Sequence, residues 1–322
     1  MKYKQLIISH LINGGYEQNC SLKSKTWIHR GGKVGMWIKP ASCKELVEIA
    51  NILYNNKCSF ITVGHTSNIY FKNSFSIDYV LDTRSLKQFE EVDNNLIVCE
   101  CGVPMKTLAN YCVEHGYSGY EGMINLPGTV AGAIVNNSGC YECGVEKVLQ
   151  SIDILIEDGT VINLKKEELC YSFRSSAIKS GQIKGVILRA YFDVSNHEEV
   201  NTLRQIAERN YKNRMITQDP PAMNLGSTVN IYGDYHGNVG FILKIIRRIL
   251  KILRVGNEKS IDIQKKIMCV CYGHPSVAKY ISSKRFSCFL WKDEGADMAY
   301  PLYLRMLTKL YPHVSVEIEI FD

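Results

Sequence analysis

The segment from Gly119 to Val145 constrains the fold of this chain more than any other part of it. It reads GYEGMINLPGTVAGAIVNNSGCYECGV, is crowded with glycine, alanine, serine and asparagine, and has neither strong helical nor strand periodicity. Side chains this small let the backbone approach another group closely, and the peptide N–H groups of such a segment can face an anion. We therefore expect a close-packed segment that acts through its backbone.

The residues before this segment predict a small α/β unit. An apolar strand, GMWIKP, is followed by the amphipathic helix SCKELVEIANILYNN, with Ser42 as its N-cap, and by the β-rich run SFITVGHTSNIYF. SFSIDYVLDT predicts a further strand. LIVCECGVPMKTLANYCVEHG then predicts a strand that runs into a helix stopped by Gly116.

The residues after the segment predict more strands and then a change of character. QSIDILIEDGTVINL indicates a hairpin with Asp158-Gly159 at its turn, and KGVILRAYFDV indicates another strand. Around Asn196 the chain becomes polar and helical, with HEEVNTLRQIAERNYKNRM followed by the turn-rich QDPPAMNLGS. We predict an α+β protein with a domain of residues 1–198, in lobes of about 1–80 and 81–198, and a smaller α/β domain of residues 199–322.

Composition excludes several classes of protein. Hydrophobic residues make up 46% of the 322 residues, which is enough for packed cores and too much for a disordered chain. The net charge of +6 arises from interspersed acidic and basic residues, so an anionic substrate explains it as well as a nucleic acid does, and we expect no nucleic-acid partner. The first twenty residues lack the features of a signal peptide, and no uncharged apolar run approaches the ~20 residues that cross a bilayer.

The twelve cysteines are scattered among strand-like and helix-like segments instead of forming the framework of a short secreted chain. A reducing cytoplasm is therefore the expected location. The pairs Cys99/Cys101 and Cys140/Cys143 invite a zinc interpretation, but no nearby histidine pair completes four tetrahedral ligands for either pair. We expect no metal site.

Two segments can hold a dinucleotide diphosphate. Such a group needs convergent backbone N–H donors and hydroxyl side chains without bulky neighbours, and GHTSN and PGTVAGA supply both. Neither segment is a Rossmann fingerprint, because no G-x-G-x-x-G opens a helix after a strand. The alternative is that both are merely tight turns, which do not require so many small residues together.

Three segments, in this order, resemble the UDP-N-acetylenolpyruvylglucosamine reductase (MurB) family. FITVGHTSNIYF is similar to the family's strand and Gly-Gly-Gly-Ser-Asn loop, with His65 and Thr66 in place of glycines. NLPGTVAGAIVNNSGCY is similar to its Pro-Gly-Thr-Val-Gly-Gly-Ala run followed by Asn-Ala-Gly-Ala-Tyr. YSFRSS is similar to its Tyr-x-Tyr-Arg-x-Ser, and NLGSTV beyond the connector resembles its Ala-Gly-Ser-Phe-Phe turn. The resemblance runs from Trp27 to Thr228.

The resemblance implies a two-lobed FAD-binding domain of the PCMH/vanillyl-alcohol-oxidase type and a separate substrate domain. A covalent flavin histidine of the wider fold would fall on position 66, which is Thr66 here, so non-covalent FAD is expected and His65 is a loop residue near the diphosphate. Flavin that stays on acid-precipitated protein would contradict this. The implied cofactor-binding residues are Gly64, His65, Thr66, Ser67, Asn68, Pro127, Gly128, Thr129, Gly132, Ala133, Asn137, Gly139 and Ile187.

The resemblance also implies a reaction, in which hydride passes from NADPH to FAD and then to an enolpyruvyl nucleotide sugar. Arg174 matches the arginine that contacts the enolpyruvyl carboxylate, a task that suits a planar and permanently charged guanidinium. Ser227 matches the general acid, and Glu317 in YPHVSVEIEIFD matches a second acid that assists the enol. The alternatives are a structural ion pair for Arg174, a turn serine for Ser227, and Glu319, two residues along the same strand face, in place of Glu317.

The resemblance fails between Thr228 and Phe286, where the family's pocket-shaping segments are unrecognisable. NVGFILKIIRRILKILRVGNEKS predicts a basic amphipathic helix over residues 241–255, with Lys244, Arg247, Arg248, Lys251 and Arg254 opposite Ile242, Ile245, Ile249 and Leu253. A core-packing helix with a solvated basic face is the favoured interpretation, and weak contact with an anionic membrane surface is the alternative.

Substrate choice is therefore the least constrained part of the prediction, and another nucleotide sugar of surface-polysaccharide synthesis stays open. Two rivals remain: an FAD-dependent sugar or alcohol oxidase of the same fold, and a non-catalytic nucleotide-sugar-binding or membrane-surface protein. The oxidase would consume oxygen, and the non-catalytic protein would be indifferent to the loss of Arg174 or Ser227. We expect a monomer.

Overall fold

A computed structural model describes residues 3–93, 95–220, 223–229 and 238–322 of the chain. The chain forms two compact units. Unit 1 comprises residues 1–22, 32–66 and 76–212, and unit 2 comprises residues 23–31, 67–75 and 213–322. The boundary near residue 198 and the two lobes of the sequence analysis stay predictions.

Strands and helices alternate through the first two thirds of the chain, and helices dominate the last third. The strands are β1 (Gly15–Ser21), β2 (Lys33–Lys39), β3 (Phe60–Val63), β4 (Ile69–Phe71), β5 (Ser76–Asp82), β6 (Phe89–Asp93), β7 (Leu96–Glu100), β8 (Gly139–Cys140), β9 (Cys143–Gly144), β10 (Leu149–Ile156), β11 (Val161–Lys165), β12 (Gly185–Asp193) and β13 (Glu319–Phe321). The α-helices are α1 (Lys4–Ser9), α2 (Cys43–Asn55), α3 (Met105–Glu114), α4 (Val130–Val135), α5 (Val145–Val148), α6 (Val200–Thr217), α7 (Asn238–Ile252), α8 (Asn257–Cys271) and α9 (Ala296–Leu310).

Unit 1 contains a mixed four-stranded sheet in the order β1-β2-β5-β3, in which β2, β5 and β3 are parallel and β1 is antiparallel. The predicted helix α2 is confirmed, because the Ser42 side chain accepts a hydrogen bond from the Glu45 N–H (3.2 Å) at its N-terminus. Its buried residues Leu46, Ile49 and Leu53 recur at helical spacing and join the core. This α/β arrangement carries β3 to the loop that begins at Gly64.

A second, antiparallel sheet of unit 1 has the order β11-β10-β12-β7-β6. The predicted hairpin is confirmed, with Gly159 at φ +88° and Asp158 Oδ1 accepting from the Thr160 N–H (2.8 Å). The predicted run from β7 into α3 is also confirmed, and Gly116 follows the helix at φ +79°. Buried residues of both sheets and of α2, α3 and α4 belong to one hydrophobic core.

Unit 2 pairs β13 with β4 in parallel and packs them with α8 and α9. Its core is aromatic, with Tyr70, Phe289, Trp291, Tyr300 and Tyr303 at centroid separations of 4.3 to 6.4 Å. The predicted basic helix is confirmed as α7, and α9 follows it and α8 later in the chain. Among the described residues, no helix has the length and apolar character needed to traverse a bilayer.

Candidate active site

The loop after β3 lies directly on the start of α4. A Cβ added to Gly64 would collide with the Thr129 hydroxyl oxygen, so only glycine fits this crossing. The His65 ring hydrogen-bonds the backbone of Gly128. The first two predicted cofactor segments, which are more than sixty residues apart in sequence, therefore touch through their backbones.

The Pro-Gly-Thr run enters α4 through a capped turn. Gly128 has φ +112°, and its carbonyl accepts from the Met105 N–H (3.1 Å). Thr129 is the N-cap, and its hydroxyl accepts from the Gly132 N–H (3.3 Å). The sequence segment without periodicity thus contains a helix of six residues, which is too short for helical periodicity to be recognised in the sequence.

The segment after α4 is held in left-handed backbone conformations. Asn137, Tyr141 and Glu142 have φ of +41°, +52° and +66°. The last two form the two-residue turn between β8 and β9, where both turn positions require positive φ. Side chains other than glycine and asparagine pay a conformational cost in this region, so the fold imposes this shape on the segment.

Arg174 clamps this strained segment. Its Nη1 donates to the Asn137 carbonyl (3.0 Å) and its Nη2 donates to the Gly139 carbonyl (2.7 Å). In return, the Asn137 side chain donates to the Ser172 carbonyl (2.9 Å) and to Glu146 Oε2 (2.7 Å). The third predicted segment is therefore fixed on the second, with Arg174 itself at φ +54° in a tight turn between Ser172 and Ser175.

The surroundings of His65 favour a neutral ring. Burial and the Arg84 guanidinium lower the pKa of His65, and they outweigh the hydrogen bond to the Gly128 backbone, which acts in the opposite direction. Asp82 opposes this weakly because Arg84 neutralises it through two bonds, from Nε (2.8 Å) and Nη2 (2.7 Å). Thr66 beside it is buried with φ +55°, an unusual conformation for a β-branched residue.

In unit 2, Ser227 lies on an extended segment that is paired on both sides. Ser227 forms a bridge with Cys288, and the Thr228 N–H donates to the Ser287 carbonyl (2.7 Å). On the other side, the Glu317 N–H donates to the Thr228 carbonyl (2.9 Å). The predicted acids Ser227 and Glu317 are therefore on adjacent backbone segments of one unit.

Arg285 and Ser287 are functional candidates that the sequence analysis missed. The Ser227 hydroxyl is 3.5 Å from Arg285 Nη1 and 3.3 Å from Ser287 Oγ. Arg285 Nε is buried and has no hydrogen-bond partner among the described residues. No local pattern relates SSKRFS to NLGSTV, which is about sixty residues earlier, so only the tertiary pairing reveals this cluster.

The turn before Arg285 fixes its direction. The Ser282 hydroxyl accepts from the Lys284 N–H (2.9 Å) and the Arg285 N–H (3.0 Å), and it donates to the Asp219 carboxylate. Lys284 Nζ donates to the Met215 (2.8 Å) and Gln218 (3.1 Å) carbonyls. This network leaves Arg285 pointing at Ser227 as the cation of the cluster.

Glu317 and Glu319 differ in backbone environment. The Asn68 side chain donates to the Glu317 carbonyl (3.0 Å), and the Asn68 carbonyl accepts from the Glu319 N–H (2.9 Å). Glu319 thus begins the β13–β4 ladder, whereas Glu317 pairs with the segment that carries Ser227. This pairing favours Glu317 as the carboxylate that belongs with Ser227.

The predicted cofactor residues are divided between the two units. Ser67 and Asn68 belong to unit 2, and the other eleven belong to unit 1. Ile187 is buried in β12 opposite Ile154, and Ala133 is also part of the core, so their contribution is to support the site from within. Among the described residues no group of three or more histidine, cysteine, aspartate or glutamate side chains is placed to hold a metal ion.

Comparison with known proteins places these observations in a family. The model of the FAD binding domain matches residues 35–165, which include both Gly64 and the Pro-Gly-Thr run. The UDP-N-acetylenolpyruvoylglucosamine reductase of Caldicellulosiruptor bescii is 27% identical over 273 residues, 80% of this chain and 86% of the relative. That of Caldicellulosiruptor saccharolyticus is 29% identical over 239 residues, 73% and 74% of the two chains. The chain is similar to UDP-N-acetylenolpyruvoylglucosamine reductases over most of its length.

A solved member of the reductase family has the same fold. The crystal structure of UDP-N-acetylenolpyruvylglucosamine reductase (MurB) from Thermus caldophilus superposes with a TM-score of 0.69 at 17% identity, covering 96% of this chain and all of that one. The α+β fold class is confirmed, and the chain is an FAD-dependent oxidoreductase. The crossing of the Gly64 loop over Thr129 fits an FAD diphosphate, since it brings two small-residue backbones together.

Proposed function

We propose that this enzyme reduces the enolpyruvyl ether of a nucleotide sugar, with NADPH as hydride donor and non-covalent FAD as the carrier. UDP-N-acetylglucosamine enolpyruvate is the first candidate substrate. The observation that carries the proposal is the assembly of three separate sequence segments in unit 1, where the Gly64 loop contacts Thr129 and Arg174 clamps the strand after α4. FAD, when bound, supplies the hydride to the substrate carbon distal to the carboxylate.

Arg174 binds the substrate carboxylate in this proposal. Its guanidinium is held in place by two backbone carbonyls, its charge is permanent, and its planar geometry matches that of a carboxylate. Addition of hydride pushes electron density toward the carboxylate, so a fixed cation there stabilises the developing enolate. The two carbonyl contacts make this position rigid before substrate arrives.

Ser227 delivers the proton to the carbon next to the carboxylate. A serine hydroxyl is a weak acid in water, so it needs a group that stabilises the alkoxide left behind. The Arg285 guanidinium and the Ser287 hydroxyl, at 3.5 and 3.3 Å from Ser227 Oγ, supply that stabilisation. Glu317, on the adjacent segment, assists the enol.

Anaerobic stopped-flow spectroscopy tests the proposal, following the band of oxidised flavin near ~450 nm. We expect NADPH to bleach the band and UDP-N-acetylglucosamine enolpyruvate to restore it rapidly. Bleaching by a sugar or alcohol and restoration by oxygen, without any response to the enolpyruvyl substrate, would favour an oxidase. A protein purified without flavin would refute the proposal. Acid precipitation should release all of the flavin into the supernatant, which checks the non-covalent linkage.

The divergent segment between Thr228 and Phe286 affects which nucleotide sugar the enzyme accepts, because the family's pocket-shaping residues lie there. Helices α7 and α8 occupy much of the stretch in which the family's pocket motifs are unrecognisable. A different nucleotide sugar that bears the same enolpyruvyl group is therefore the second candidate. Bleaching by NADPH with recolouring only by that analogue would identify it. We also expect a monomeric enzyme of the reducing cytoplasm, and sedimentation velocity measures the first of these.

A further inference from the structure

Helix α7 of unit 2 exposes an unusually large apolar surface. Six large apolar side chains along it are between 41% and 73% exposed, and we call them the apolar stripe: Phe241, Ile242, Ile245, Ile249, Ile252 and Leu253. At 3.6 residues per turn they fall within roughly 120° of the helix circumference. The sequence favoured a helix that packs into a core and has a solvated basic face; the helix does pack through Leu243, but these isoleucines stay exposed.

The helix is held by a different face. Leu243 and Leu250 are buried, and Leu243 belongs to the core of unit 2. Arg247 Nε donates to Gln264 Oε1 of α8 (2.6 Å). Since these contacts fix the rotation of α7 about its axis, the exposure of the apolar stripe is built into the packing of unit 2.

The end of the helix extends the apolar stripe by one residue. The Val255 N–H donates to the Leu250 carbonyl (2.9 Å) and the Arg254 N–H donates to the Lys251 carbonyl (3.1 Å), which is the paired bonding of a Schellman cap. Arg254 occupies the left-handed position of this cap at φ +52°, where glycine is usual. The cap keeps Leu253 in line with Ile249 and Ile245.

A band of positive charge runs beside the apolar stripe. Exposed Lys244, Arg248, Lys251 and Arg254 lie on the face next to it. Residues 238–257 contain no aspartate or glutamate. The combination of an exposed apolar stripe and an adjacent basic band is typical of a helix that lies in the interface of an anionic membrane.

We propose that α7 binds the surface of an anionic lipid bilayer. The apolar stripe enters the boundary between headgroups and acyl chains, and Lys244, Arg248, Lys251 and Arg254 contact lipid phosphates. A second copy of the chain is a poorer occupant, because pairing two such helices brings two basic bands together. A nucleic acid would engage the basic band and leave the six apolar side chains in water. The proposal stands whether or not the chain is a reductase.

Vesicle flotation of the full-length flavoprotein tests this, with phosphatidylcholine vesicles that contain or lack phosphatidylglycerol. Two double variants address the two features separately: Ile245→Ser with Ile249→Ser, and Arg248→Glu with Lys251→Glu. Ile12→Ser is the matched control, because Ile12 is an exposed isoleucine of unit 1. Flavin content and far-UV circular dichroism verify that each variant is folded.

We expect the wild type and Ile12→Ser to float with the anionic vesicles and not with the neutral ones, and each double variant to bind at least about ten-fold less. Absence of flotation of the wild type would overturn the proposal. Binding that is lost in the charge variant and kept in the isoleucine variant would also overturn it, in favour of a soluble polyanion. A dimer in sedimentation equilibrium that requires Ile245 and Ile249, without flotation, would assign the apolar stripe to a second copy.

Discussion

The two halves of the candidate machinery are built in different ways. In unit 1, Gly64, Gly128 and the Asn137–Gly139 carbonyls act through the backbone, and each belongs to a short segment recognisable in the sequence. In unit 2, Ser227 depends on side chains from a turn about sixty residues later. A backbone cradle tolerates little change and leaves a local signature, whereas a side-chain cluster can be assembled from any segments that the fold brings together.

Removal of the proposed acid should have the largest effect. Ser227→Ala should lower the rate of flavin reoxidation by substrate about 10²- to 10⁴-fold and leave reduction by NADPH unchanged, because only the second half-reaction needs the proton. Rapid-mixing measurement of both half-reactions checks this. Ser315→Ala, an exposed serine, is the control. Equal losses in both half-reactions would mean that Ser227 supports the structure of the site and not proton transfer.

Arg174 tests whether the clamp of unit 1 also binds substrate. Arg174→Lys removes the planar fork that reaches two carbonyls, and we expect kcat/KM to fall about 10- to 100-fold, as for a lost charged hydrogen bond. Steady-state kinetics, thermal unfolding and flavin content are measured together. A fall in melting temperature and flavin content without a change in kcat/KM per flavin would assign Arg174 to structure alone. Arg209→Lys, on the exposed face of α6, is the control.

Arg285 tests the side-chain cluster of unit 2 most directly, because the sequence did not indicate a role for this residue. Arg285→Lys should slow reoxidation about ten-fold and shift the pH profile of that step, because the cation nearest the alkoxide of Ser227 is displaced. The pH dependence of kcat is the deciding measurement. An unchanged pH dependence of kcat would mean that Arg285 contributes only to packing. Arg305→Lys, exposed on α9, should behave as the wild type.

Alanine substitution of two glycines that face Thr129 distinguishes steric crowding within the protein from contact with the cofactor. Gly64→Ala should destabilise the protein by about 1–3 kcal/mol and lower flavin content, since its Cβ would collide with the Thr129 hydroxyl. At Gly132 a Cβ would lie 3.5 Å from the same oxygen, an ordinary contact, so Gly132→Ala should unfold like the wild type. If Gly132→Ala folds but loses flavin, the cofactor itself requires that glycine. Equal stability of the two variants would contradict the crowding argument.

The smallest expected effect is the pH dependence contributed by His65. Its pKa is lowered in the native state, so the unfolded chain, with an ordinary histidine pKa of ~6.5, takes up this proton first as the pH falls. His65 therefore stabilises the fold fully above about pH 6.5 and progressively less below it. Denaturant unfolding between about pH 8 and about pH 5, the range in which histidine titrates, measures this contribution. We expect the free energy of unfolding to fall less steeply with decreasing pH in His65→Gln than in the wild type.

The sequence indicated the local features of unit 1 because each rests on neighbouring residues. Ser42 capping α2, Gly159 in its hairpin and the Pro-Gly-Thr entry to α4 depend on interactions within a few positions. The same reasoning missed α4 itself, because a helix of six residues is too short to show a helical repeat in the sequence. The roles of Ser227, Glu317 and the cofactor residues rest on resemblance and stay predictions.

The sequence alone also misjudged α7. Periodicity located the helix and its basic band, but it contains no information about which of two apolar faces is covered, since Leu243 and Ile245 are both strongly hydrophobic. The contact of Leu243 with the core and the bond from Arg247 to Gln264 decided the rotation of the helix. Which face of a helix is exposed depends on the surface that packs against it, and the sequence of the helix does not contain that information.

The sequence by itself thus indicated a flavin-binding protein, most of its strands and helices, and the small-residue loops. Each of these features depends on residues that are close together in the chain. Only the tertiary structure decided that Arg174 grips the backbone of Asn137 and Gly139, that Arg285 faces Ser227, and that six apolar side chains of α7 point to solvent. Each of these depends on contacts between residues far apart in the chain, whose pairing arises when burial of the whole core selects one arrangement of the segments.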